Sequence, residues 1–70
     1  RGLSAGNVVA ARIRAVERTG TDVTLHCGLV DWERGPTWFA RITPAATAAL
    51  GLAAGRRVWL AVKSHSVRIV

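Results

Sequence analysis

Between Asp22 and Cys27 the chain alternates strictly: Val23, Leu25 and Cys27 are apolar, while Asp22, Thr24 and His26 are polar. Successive side chains of an extended strand point to opposite faces, so this period of two buries one face and wets the other. Cys27 is thereby expected in a core, and His26 on the solvated side. Val8 to Glu17, just upstream, is rich in β-branched residues and alanine and carries Arg12 and Arg14 two apart. It reads as a long first strand. Thr19, Gly20 and Thr21 between the two supply a glycine-centred turn, so the chain opens as a β-hairpin.

The remaining elements follow from similar signals. Gly28 to Pro36 holds two glycines, a proline and three charged residues around Trp32, which is loop chemistry. Thr37 to Ile42 is a third strand, with Trp38, Ala40 and Ile42 on one face and Thr37, Phe39 and Arg41 on the other. Thr43 before Pro44 is a hydroxyl N-cap followed by the helical position at which a missing N–H costs nothing. Ala45 to Leu50 continue as helix formers. Gly51 ends the helix, and Leu52 stands where an apolar residue folds back on the last turn. Beyond a turn at Ala54 and Gly55, Val58, Leu60 and Val62 alternate with Arg57, Trp59, Ala61 and Lys63 in a fourth strand, and Val67 to Val70 forms a short fifth. The fold class expected is all-β: a five-stranded OB-like barrel with one short helix between strands 3 and 4, plugging an open end.

Length limits what such a barrel can do alone. A chain of 70 residues makes one domain, residues 1–70, and buries only about 60% of its unfolded surface. Domains of this size usually need disulfides, metals or oligomerisation in support. Cys27 is the only cysteine, and His26, Cys27 and His65 lack a paired-ligand spacing. Self-association remains, and it fits an excess of apolar residues on faces that a monomeric barrel would keep polar: Val8, Val16, Trp59 and Phe39. No apolar run approaches a membrane span, and the unpaired thiol fits a cytoplasmic chain, at most docked at the inner face of the membrane within a larger complex. The start at Arg1 fits a processed chain or a fragment of a longer one.

Net charge is +6, which attracts anions: nucleic acid, lipid headgroups or small oxyanions. The basic residues are scattered, with no dense stripe to track a phosphate backbone. Two small polar segments stand out instead. Ser4, Ala5, Gly6 and Asn7 precede the first strand, and Lys63, Ser64, His65 and Ser66 follow the fourth. Backbone N–H groups, hydroxyls and a fixed positive charge suit a tetrahedral oxyanion, which offers only acceptors. By spacing alone the same segments also read as a chain terminus and a hairpin turn.

Ser4-Ala5-Gly6-Asn7 resembles the Ser-Ala-Arg-Asn that opens domains of the molbindin family, also called Mop or TOBE domains. Ile42-Thr43-Pro44, then Leu50-Gly51-Leu52, Gly55, Val58, Trp59, Ala61, Val62, Lys63 and Ser66 resemble that family's second half. The likeness is strongest to the C-terminal domain of the ATP-binding subunit of molybdate ABC importers. The resemblance implies an OB-like fold, pairing of two copies as a dimer or an assembly of dimers, and molybdate or tungstate held between subunits by the two polar segments. It also implies storage or transporter regulation as the role, with a nucleotide-binding domain in the same chain as one setting. Gly6 stands where the family often has arginine, and His65 where it usually has a small hydroxyl residue. A glycine still offers its N–H, and a histidine would tie affinity to pH near its pKa of about 6.5.

An enzyme is not expected of this domain, since two histidines, one cysteine and four acidic residues do not assemble a nucleophile, a base and an orienting carboxylate. No cofactor and no metal are expected. Two rival readings are a single-stranded nucleic-acid-binding OB domain, which would need Trp32, Trp38, Phe39 and Trp59 to converge into a stacking platform, and a purely structural dimerisation domain.

Overall fold

The structure, a computed structural model, describes residues 7–63 and 66–70. Five strands and one helix run in the order β1 (Asn7–Thr19), β2 (Asp22–Leu29), β3 (Trp38–Ile42), α1 (Pro44–Ala49), β4 (Arg57–Lys63) and β5 (Ser66–Ile69). The strands form one antiparallel sheet in the order β3-β2-β1-β4-β5. It curls until the two outer strands, β3 and β5, meet along a seam. Among the described residues no ladder joins them there, so the barrel is nearly but not fully closed. This is the all-β, five-stranded barrel expected, with its helix between β3 and β4.

The alternation that defined β2 is realised in full. Val23, Leu25 and Cys27 are completely buried and join Ala11, Ile13, Ala40, Leu52, Val58 and Leu60 in one core. Trp38 and Ile42 pack against this core from β3, and Val67 and Ile69 from β5.

β1 departs from simple alternation at one point. Ile13 pairs with Cys27, but Ala15 pairs with His26, so Arg14 is an extra residue that bulges from the ladder. A bulge resets which face each later residue occupies. Val16, expected on the outer face, is in consequence half-buried against the core. Of the four apolar residues assigned to a second buried surface, it is the one that belongs to the first.

Local chemistry accounts for the ends of the helix. Thr43 Oγ1 accepts from Ala46 N at 3.1 Å, and Pro44 occupies the first turn. At the other end Gly51 adopts φ 62°, with Leu52 N donating to Thr47 O at 3.0 Å and Gly51 N to Ala48 O at 3.1 Å. This paired closure is the Schellman arrangement, which needs a residue tolerant of positive φ. It folds the buried Leu52 back into the core beside the buried Thr47, so the helix covers part of the barrel as anticipated. The turn that follows is tied to β1: Gly55 N donates to Ile13 O at 2.7 Å, Ile13 N to Arg56 O at 2.9 Å, and Arg12 Nη1 to Gly55 O at 3.0 Å.

Candidate functional site

The two polar segments singled out by sequence flank neighbouring strands. β1 runs antiparallel to β4 with Asn7 opposite Val62, and β4 to β5 with Lys63 opposite Ser66. Adjacent strands lie about 4.8 Å apart, so the backbone brings the start of β1, the end of β4 and the start of β5 together at one end of the sheet. Asn7, Lys63 and Ser66 are placed there by their backbones. Ser4, Ala5, Gly6, Ser64 and His65 lie outside the described residues. Ser66 is the first residue of β5, one earlier than the fifth strand expected from sequence.

Beside this end of the sheet lies an outward-facing apolar area. Residues directly opposite in an antiparallel ladder share a face, which groups Val8 with Ala61 and Ala10 with Trp59. Trp59 is 41% exposed and Val70, whose N–H donates to Trp59 O, is 65% exposed. Arg57 sits with Cζ 6.0 Å from the Trp59 ring centroid, at the outer limit of cation–π contact.

A second cluster went unnoticed in the sequence. The bulge projects Arg14 over Gly28, where its guanidinium donates to Thr37 Oγ1 at 3.0 Å and to Glu33 O. A Cβ at Gly28 would overlap that guanidinium. Arg12, Arg14, Gly28, Leu29, Val30 and Glu33 line a cleft of about 280 Å³, but both arginines spend hydrogen bonds on the protein's own loops. The arrangement clamps the β2–β3 connection. The spacing of Arg12 and Arg14 was visible in the sequence, whereas the bulge that aims Arg14 depends on β2.

Cys27 and His26 are likewise committed. Burial pushes the Cys27 thiol above its ordinary value of 9.0, leaving it protonated and packed. His26 is half-buried rather than simply solvated: Nε2 lies 2.9 Å from Glu17 Oε1, and its ring meets Phe39 edge-on at 4.9 Å. Among the described residues no group of three or more potential ligands could hold a metal ion.

The aromatic residues do not converge. Trp38 packs against the core, and Trp32 is exposed in the β2–β3 connection, bridged to Leu29. Phe39 and Trp59 are exposed on β3 and β4, three strand spacings apart through β2 and β1, or about 14 Å along the sheet. Stacking of successive bases needs adjacent rings.

The model of the TOBE domain matches residues 3–69. The chain belongs to the TOBE family. The match spans all five strands and the helix, so it describes the barrel as a whole rather than one motif. TOBE domains are non-catalytic binding domains associated with oxyanion and molybdate transport. Comparison of this TOBE domain with curated proteins and with solved structures gives no match. Among its described residues no helix is long and apolar enough to cross a membrane.

Proposed function

We propose that two copies of this TOBE domain pair and hold a tetrahedral oxyanion, molybdate or tungstate, where the ends of β1, β4 and β5 meet. The observation that supports the reading is the strand register: it sets the backbones of Asn7, Lys63 and Ser66, the first two 56 positions apart, at one end of the sheet. A tetrahedral oxyanion presents acceptors in every direction, so it is matched by N–H and hydroxyl donors around a fixed cation. In this reading Ser4, Ala5, Gly6 and Asn7 supply donors from one segment, and Lys63, Ser64, His65 and Ser66 supply donors and the charge from the other. Pairing through the outward face that holds Val8, Ala10 and Trp59 would cover exposed apolar surface and bring two such ends together. The role is then storage of the anion, or regulation of a molybdate ABC importer as a domain of its cytoplasmic ATP-binding subunit.

Isothermal calorimetry with molybdate, tungstate, sulfate and phosphate tests this directly. Heat with molybdate or tungstate at a stoichiometry below one per chain is expected; silence with both overturns the reading. Lys63→Ala should weaken binding by about 1.5 to 3 kcal/mol, the range for a hydrogen bond to a charged group. Retained dimerisation without any anion affinity would instead mark a structural dimerisation domain.

A further inference from the structure

The barrel's open seam carries a cationic cleft whose residues lie outside both polar segments. β3 and β5 approach each other without a ladder between them, and strands left unpaired along one edge present free N–H and C=O groups. A cleft of about 410 Å³ lies at this seam, lined by Arg41, Ile42, Thr43, Ala46, Arg68 and Ile69. It holds two guanidinium-bearing side chains and no carboxylate.

These two arginines differ from the pair that lines the cleft between β1 and the β2–β3 connection. Arg12 and Arg14 are engaged with loop carbonyls and a hydroxyl. Arg41 and Arg68 are exposed, and their side chains make no hydrogen bond or ion pair among the described residues. Two uncommitted cations held on facing strands repel each other until an anion stands between them. A guanidinium fork matches the paired oxygens of a phosphoryl group, and charge-assisted bonds of this kind are stronger than neutral ones. Thr43 Oγ1 accepts from Ala46 N in capping α1, which leaves its O–H able to donate to an anion.

The cleft is also larger than a bare tetrahedral anion fills, and its other walls are apolar: Ile42, Ile69 and Ala46. Its volume lies within the usual range of small-molecule sites, about 300 to 1,000 Å³. We propose that the seam binds a phosphate monoester, its phosphoryl group between Arg41 and Arg68 and its apolar body against Ile42 and Ile69.

The test is an NMR titration of the ¹⁵N-labelled chain with inorganic phosphate and with phenyl phosphate, which adds an aromatic body to the same charged group. Phenyl phosphate should bind several-fold more tightly and shift the amides of residues 41–43 and 68–69 together with the side-chain Nε–H signals of Arg41 and Arg68. Arg41→Gln and Arg68→Gln should each weaken it about tenfold, as expected for loss of one charge-assisted contact. Arg41→Lys, which keeps the charge and loses the fork, should fall between. Equal affinity for the two ligands overturns the apolar contact, and undiminished binding in both glutamine variants overturns the site. Lys63→Ala should leave phenyl phosphate binding intact, so the seam and the polar strand ends succeed or fail separately.

Discussion

Arg14 and Gly28 depend on each other. The guanidinium occupies the space that a side chain at position 28 would need, and from there it secures Thr37 and Glu33. Gly28→Ala should therefore expel the arginine and cost about 1 kcal/mol, the size of a typical net hydrogen-bond contribution. Chemical denaturation of the single and double variants checks this, because Gly28→Ala should cost much less in an Arg14→Ala background. Cys27 makes a prediction in pH. Its folded-state pKa is raised by burial, so the thiol favours folding fully below its unfolded value. That contribution is lost as pH climbs above about 9 towards the folded value. Unfolding midpoints should decline more steeply between neutral and alkaline pH in the wild type than in Cys27→Ala, and a thiol reagent should label Cys27 only as the barrel unfolds.

The helix shows how much one element can carry in its own residues. Thr43, Pro44, Gly51 and Leu52 specify both its ends by local chemistry, and each performs in the structure the task that its residue type suggests. Thr43→Ala should lower stability by about 1 kcal/mol through loss of the cap, read as a shift of the denaturation midpoint with an unchanged slope. β1 is the contrary case. Its composition identifies a long strand, and it runs from Asn7 to Thr19, beyond the Val8 to Glu17 suggested by its apolar residues. Period-two reasoning nevertheless assigned Val16 to the wrong face. An extra residue in one strand is defined only against the partner it fails to match, and nothing in Ile13-Arg14-Ala15 marks it.

At the scale of the whole molecule, a net charge of +6 and an outward apolar area at Val8, Ala10 and Trp59 would act against each other in the pairing proposed above. Like charge repels two copies while apolar burial draws them together. Salt screens the first and leaves the second intact. Association measured by sedimentation should therefore strengthen as ionic strength rises, whereas oxyanion affinity should weaken. Association that weakens with salt would instead mark a contact made by opposite charges.

Alternation, turn residues and caps are properties of neighbours along the chain, and the five strands, the short helix, the buried Cys27 and the core face of β2 followed from them. The polar segments at Ser4–Asn7 and Lys63–Ser66 were legible as residue types suited to an anion. The placing of Asn7, Lys63 and Ser66 at one end of the sheet was not, because it arises from which strands pair and in what register. The same holds for the Arg14 clamp, the partnership of His26 with Glu17, and the seam that sets Arg41 near Arg68. The clamp and the His26–Glu17 contact arise from the register of β1 on β2, and only the curling of one sheet until its edges meet brings Arg41 near Arg68.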